Sequence, residues 1–221
     1  MAAAESQTIS RYLESVYYMT AEGERVRAAR VAEWMGVSQP TAGATLGRMV
    51  RDGLVQISAG KEITLTPRGQ ETAGRIVRRH RVAERWLTDV LGLDWVQADE
   101  EAGKLEHALS DEVAERLYQH IGRPATCPHG NPIPGAGKQR KRRERALRDL
   151  PAGTRSTVRR VSEVAEHDAP QLLRFLGDSG LNLGASVAAA EHNPGAGTVT
   201  VEVGGRRVAM SLDVAGKIWV D

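Results

Sequence analysis

Three short patterns in this chain set out metal-ligand side chains at useful spacings. His80 and Glu84 stand four apart, so on a helix both project from one face. Glu106 and His107 are adjacent, with Asp99 upstream, and Cys127 and His129 are separated by one proline. Imidazole, thiolate and carboxylate together suit a divalent first-row transition metal. Each pattern also has a plain reading by itself, as a helix-surface contact or a loop. Only their combination points to a metal.

The elements that must hold these residues can be read from periodicity. A helical stretch runs from Gln70 to Leu91, with Ile76, Val77, Ala83, Trp86, Leu87, Val90 and Leu91 along its inner stripe and Gly92 ending it. Trp95 to Leu109 and Ser110 to Ile121 read as two more helices, the second capped by Ser110 with Asp111 and Glu112 at its positive end. Three such helices cannot build a large private core, so a dimer interface is the expected outlet for their apolar faces. Cys127 and His129 fall in residues 122–150. There, prolines, glycines and the basic run Lys138 to Arg145 read as a tether, the run being a solvated segment or, alternatively, a phosphate contact.

Ahead of the long helix, Ile9, Tyr12, Leu13, Val16 and Tyr17 mark an amphipathic first helix. Arg30 to Arg51 then reads as two helices joined by a tight turn. Gly36 closes the first, Val37 packs inward, and Ser38 caps the second with Pro40 in its first turn. Leu46, Met49 and Val50 form its inner face. Its outer face shows Gln39, Thr41, Ala44, Arg48 and Arg51. Gly53 to Ile57 and Glu62 to Leu65 make a hairpin wing with Lys61 at its tip, and Thr66-Pro67 opens the next helix. A winged helix-turn-helix fits a duplex groove, with Arg30, Arg48, Arg51 and Lys61 as phosphate candidates. Ser38, Gln39 and Thr41 are left for base edges, and Pro40 and Ala44 for thymine methyls.

Composition sets bounds. The 221 residues allow one large domain or two to three small ones, and a net charge of +2 is too small to argue nucleic-acid binding by itself. A single cysteine excludes an internal disulfide, no apolar run reaches membrane-spanning length, and the N-terminus lacks the regions of a signal peptide. A soluble, cytoplasmic protein is expected. Strands are expected at 157–161, 186–190, 198–203 and 207–210, with one helix near Pro170 to Leu176, which fits a small SH3-type barrel.

The order winged helix, HRVAERWL, LEHALSDEVAERL, CPHGNPIPG and C-terminal strands resembles the diphtheria toxin repressor family of metal-dependent regulators. The resemblance covers nearly the whole chain. It implies a mainly α protein with small β parts: an N-terminal winged helix-turn-helix, here residues 1–73, and a helical dimerisation and metal-binding domain, 74–137. A basic linker, 138–150, and a C-terminal SH3-like, FeoA-like β-barrel, 151–221, follow. It implies a homodimeric repressor of metal-homeostasis genes on double-stranded operator DNA, responsive to Fe2+ or Mn2+ and accepting Zn2+, Co2+ or Ni2+ in vitro. It implies no catalysis and no membrane partner.

Carried over residue by residue, the family's ancillary site falls on His80, Glu84, Asp99, Asp168 and Gln171, with Cys127 and His129 as used by some members. Asp99 stands where iron-type members have a histidine. The primary site falls on Glu14, Glu106 and His107, but Gly103 and Arg11 stand at two further ligand positions and cannot serve. An arginine beside a metal repels it by several kcal/mol unless solvent screens the charge. Two arrangements are open. Arg11 pairs with Glu106 in place of the cation, or Arg11 swings away and Glu14, Glu106 and His107 bind metal weakly. Outside the family reading stand a binding module without DNA recognition, suggested by Gly43 and Ala44, and a metallohydrolase built on the same donors.

Overall fold

The structure is a computed structural model and describes residues 6–137, 144–168 and 171–221. The basic run Lys138 to Arg143 and the expected helix start at Pro170 lie outside the described residues. Helix α1 (Gln7–Ala21) leads into α2 (Ala28–Met35) and α3 (Gln39–Arg51), followed by the hairpin β1 (Val55–Ile57) and β2 (Ile63–Leu65). Ser38 caps α3 by accepting from Thr41 N at 3.3 Å, and Gly36 ends α2 in the left-handed region at φ +63. Leu46 and Met49 join Leu13, Val16, Met19 and Ile63 in one apolar core. Val37 and Val50, expected to point inward, are exposed instead. The wing closes against the next helix so tightly that a Cβ on Gly69 would lie 1.9 Å from the Leu54 carbonyl oxygen.

Helix α4 (Pro67–Asp89) is the spine of the molecule. Thr66 caps it, accepting from Gly69 N at 3.0 Å, and its inner stripe packs first on the reading head and then on α5 (Trp95–Leu105) and α6 (Asp111–His120). A full capping box between Asp94 and Gln97 starts α5. Val90 and Leu91 remain exposed just past the end of α4, and Val113 is exposed at the start of α6.

Residues 124–137 are not a tether. Cys127, His129, Asn131 and Ile133 are buried, and Thr126 bridges Pro132. The prolines cannot donate to a regular ladder, so the segment is held by separate bonds such as Cys127 N to Asn131 O at 2.9 Å. The second half differs from a linker ending at residue 150. Arg145–Ala146 is already strand β3, and Leu147 and Leu150 around the 3-10 turn Leu147–Asp149 are fully part of the C-terminal core.

The C-terminal part holds β4 (Arg155–Val161), α7 (Glu163–Asp168), α8 (Gln171–Asp178), β5 (Ser186–Asn193), β6 (Thr198–Val203), β7 (Arg206–Ser211), α9 (Leu212–Ala215) and β8 (Ile218–Val220). One antiparallel sheet runs β3-β8-β4-β5-β6-β7. Strand β4 changes partner along its length: Arg155 to Thr157 pair with β5, and Val158 to Val161 pair with β8 across a register shift. The expected helix is α8, and α7 is a further short helix before it that projects away from the sheet toward the reading head.

Candidate metal centre

A cavity of about 790 Å³ lies where α1, α2, α4, α5 and α7 meet. Its walls include Arg11, Glu14, His80, Glu84, Asp99, Gly103, Glu106, His107, His129, Glu163 and His167. Most of the sequence-derived candidates converge here, but they are sorted differently from the expectation.

His80 and Glu84 share a face of α4 yet serve opposite ends of it. The His80 ring meets Glu106 through Nδ1 at 2.8 Å and Asp99 through Nε2 at 3.3 Å. Burial opposes a charged ring, but these two bonds outweigh it and hold the His80 pKa well above its usual value. Burial likewise pushes Asp99 upward, and its bond to His80 wins, so its pKa is lowered. Glu84 turns the other way and sits 2.5 Å from His129 Nδ1, with both side chains almost fully buried.

Two donor triads result. Ligand atoms of Glu84, Cys127 and His129 lie within 4.8 Å of one another, as do those of Glu14, Glu106 and His107. In the first, Glu84 Oε1 is buried without a hydrogen-bond donor among the described residues, despite its closeness to His129. A carboxylate oxygen left in that state is costly unless a cation completes it. Burial first, and then the charge of Glu84, push the Cys127 thiol up to about 11, a proton that a metal displaces. Trp95 stands edge-on to the His129 ring at 5.0 Å and fixes its plane. One sulfur, one nitrogen and one oxygen donor fit a first-row transition ion.

The second triad has two carboxylates and an imidazole, a harder set. Glu106 receives His80 on one oxygen and His107, at 3.2 Å, on the other. Glu14 shares a hydrogen bond with Glu106, and its pKa is raised well above 4.5, first by burial and then by the charge of Glu106. Arg11 does not pair with Glu106. It is exposed at the rim, and among the described residues it forms no ion pair. Each Glu106 oxygen instead meets a histidine, His80 on one and His107 on the other. The Arg11–Glu106 pair of the first arrangement is therefore not formed. Gly103 faces the cavity with nothing within 4 Å of where a Cβ would stand.

The two C-terminal candidates lie elsewhere. Asp168 binds Arg30 at 2.6 Å, and Gln171 is exposed at the start of α8; neither lines the cavity. In their place, Glu163 enters the wall and forks onto buried Arg81, with Nε to Oε1 at 2.8 Å and Nη2 to Oε2 at 2.5 Å. Arg81 also donates to the Pro132 carbonyl. Glu163, His167 and Trp34 were missed by the sequence reading, although Glu163 and His167 stand four apart on α7, the spacing that marked His80 and Glu84 on α4. Arg81, between His80 and Glu84, was a further signal: a buried arginine requires a carboxylate partner.

The chain matches, over residues 6–62, the iron dependent repressor N-terminal DNA binding domain. Over 66–135 it matches the iron dependent repressor metal binding and dimerisation domain, and over 145–221 the FeoA domain. It is 35% identical over 224 residues to the iron-dependent repressor IdeR of Mycobacterium tuberculosis, covering 97% of this chain and 96% of that protein. The chain belongs to the iron-dependent repressor family. To the diphtheria toxin repressor of Corynebacterium glutamicum this family member is 35% identical over 222 residues, again with 97% and 96% covered. Among solved structures it is similar to a manganese-dependent transcriptional repressor in complex with manganese, with TM-score 0.83, 33% identity, and 96% and 99% of the two chains covered.

The DNA-facing candidates divide in two. Gln39, Pro40, Thr41, Ala44, Arg48, Arg51 and Lys61 are exposed on α3 and the wing. Arg30 is spoken for by Glu24 at 3.4 Å, Glu33 at 3.5 Å and Asp168 at 2.6 Å, so three carboxylates replace the expected phosphate. Ser38, also exposed, and Thr41 share a hydroxyl bond at 2.8 Å. Lys61 stands in the left-handed region at φ 60, as a tight wing tip demands.

Proposed function

We propose that this family member is a cytoplasmic, homodimeric repressor of metal-homeostasis genes that binds operator DNA through α3 and the wing, with Fe2+ or Mn2+ as its effector. Residues 1–73 read DNA, 74–137 pair the protomers and hold metal, and the C-terminal domain, which begins at β3 and not at residue 151, docks on both. One observation carries the reading: two buried donor triads open on a cavity walled jointly by the reading head, the α4 spine and α7. A cation there changes the energy of every contact between those parts, which is what an allosteric ligand must do.

Glu84, Cys127 and His129 hold the stronger site, and Glu14, Glu106 and His107 the weaker, since Arg11 and Gly103 withhold two ligands. When bound, the ion supplies charge that gathers carboxylates which otherwise repel. Arg48, Arg51 and Lys61 grip phosphates, while the small residues Gly43 and Ala44 let α3 lie close in the groove and leave much of the specificity to DNA shape. The exposed Val90, Leu91 and Val113 are the apolar part of the dimer contact.

The test is selection of a duplex from a random pool by the metal-free and Mn2+-loaded protein, followed by anisotropy titration and sedimentation. A dimer whose affinity for the selected duplex rises with Mn2+ is expected. A monomer indifferent to every duplex in both states defeats the reading.

A further inference from the structure

The loop that carries Cys127 and His129 is bonded directly to the end of β4. Val161 N donates to the His129 carbonyl at 2.9 Å, and Asn131 Nδ2 donates to the Val161 carbonyl at 3.0 Å. Packing there is so close that a Cβ on Gly130 would lie 2.0 Å from the Arg159 carbonyl oxygen. The next seven residues, Ser162 to Asp168, then run across the reading head. Ser162 Oγ donates to Glu22 at the end of α1, at 2.5 Å. Val164 is fully buried within the apolar core of the reading head, not that of its own domain. The His167 ring stacks on Trp34 of α2, centroids 3.7 Å apart and planes 4° from parallel, and its Nε2 bonds the Trp34 carbonyl at 2.9 Å. Asp168 completes the contact on Arg30.

We infer that Ser162–Asp168 is a clasp through which metal occupancy at Glu84, Cys127 and His129 is relayed to the reading head, with His167 and Trp34 as its positioning residues. The inference rests on the proposed reading that metal raises DNA affinity, and it names the path. A route through α1 from the other triad has lost two ligands at Arg11 and Gly103. The route by way of the 127–131 loop, β4 and the clasp is continuous in hydrogen bonds and packed side chains. Ordering the loop around an ion fixes Val161, Val161 fixes the clasp, and the clasp sets the angle at which α2 and α3 are carried on α4. Such a relay needs two arrangements of the clasp, docked and loosened, whose balance the ion biases.

The test compares the full-length chain with His167→Ala/Asp168→Ala and, separately, with Trp34→Leu. Co2+ serves as the probe, because its bond to the Cys127 thiolate gives a charge-transfer absorption that reports site occupancy directly. DNA affinity is measured for metal-free and Co2+-loaded forms of each. Allosteric gains are typically about 5- to 150-fold. In both variants the gain should fall below about threefold while Co2+ affinity stays within about twofold of the parent. A purely structural defect lowers both forms by one factor and leaves their ratio intact, so an unchanged ratio overturns the relay. Loss of Co2+ binding in the variants overturns it too, by making these residues part of the metal site. If the parent itself shows Co2+ binding but no gain in DNA affinity, the underlying functional reading fails, and the relay falls with it.

Discussion

Replacing Glu14 by glutamine should stabilise the metal-free protein and weaken its grip on metal. Glu14 and Glu106 are 7% and 5% exposed and share a hydrogen bond. Two ionised carboxylates about 4 Å apart repel by about 4 kcal/mol at an effective dielectric of 20, and the charges of His80 and Arg11 offset only part of this. Burial first, and then the charge of Glu106, raise the Glu14 pKa well above its usual value, so Glu14 holds its proton to higher pH than a free carboxyl does. The sign follows by linkage. A carboxyl whose native pKa lies above its unfolded value of 4.5 contributes stability that is present below that pH and lost as pH rises through the native value.

Glutamine cannot ionise, fills the same volume and can donate to Glu106. A gain of about 1 kcal/mol is expected at neutral pH, or about 2–4 °C in midpoint for a chain of this size. The dependence of midpoint on pH above 4.5 should flatten. With Mn2+ the order should reverse, because a ligand has gone, and affinity at this triad should fall at least about tenfold, which is about 1.4 kcal/mol. Scanning calorimetry from pH 4.5 to 8, with EDTA and with Mn2+, measures both. A lower midpoint for Glu14→Gln in EDTA, or an unaltered pH slope, refutes the retained proton on Glu14.

Four further outcomes follow from the same geometry. Arg51→Ala, at the exposed end of α3, should weaken binding to all duplexes alike and reduce the slope of log K against log salt by about 0.9, read from anisotropy titrations at several salt concentrations. Because the Cys127 thiol sits near 11, metal binding displaces its proton at every pH below that, so affinity should rise about tenfold per pH unit from this group. Cys127→Ser should abolish the thiolate band of Co2+ and that share of the slope. Arg11→Met/Gly103→Cys should create a second tight Co2+ site in isothermal titration, since the space at Gly103 is open and the repelling cation is gone. Arg81→Met should cost about 3–5 kcal/mol in chemical denaturation by stranding Glu163, and Arg81→Met/Glu163→Leu should recover most of it.

Much of the scaffold could be read from local chemistry. Ser38, Thr66 and Ser110 each accept from the third residue onward, as their positions before apolar-periodic stretches imply, because a helix start is settled within one turn. The apolar stripe of α4 was legible from its helical period as far as Leu87, whereas Val90 and Leu91, expected on it, lie past the helix end and are exposed. The 124–137 segment was not, since proline and glycine signal only the absence of regular structure, and buried loops are held by single bonds that carry no periodic trace. Strands β3 and β8 escaped notice because they are only 2 and 3 residues long. Arg30 shows a further limit. Its place ahead of a recognition helix suggests phosphate, but Asp168, 138 residues away in sequence, decides the matter.

The division of the metal donors shows where spacing stops being informative. His80 and Glu84 do lie on one face of α4, yet a face is broad enough for two rotamers to serve different partners. His80 is drawn to Glu106 and Asp99 on the α5 side, and Glu84 to His129 in the loop. Helix α4 is thus a spine with one triad on either side. One triad gathers α1, the other gathers the loop bonded to β4 and, through it, the clasp on α2. Substituting ligands on the first side, as Arg11 and Gly103 do, leaves the second side whole. A chain built this way can shed one metal and still report on another, provided the C-terminal domain remains docked. On the proposed relay, that proviso would make the SH3-like domain part of the switch.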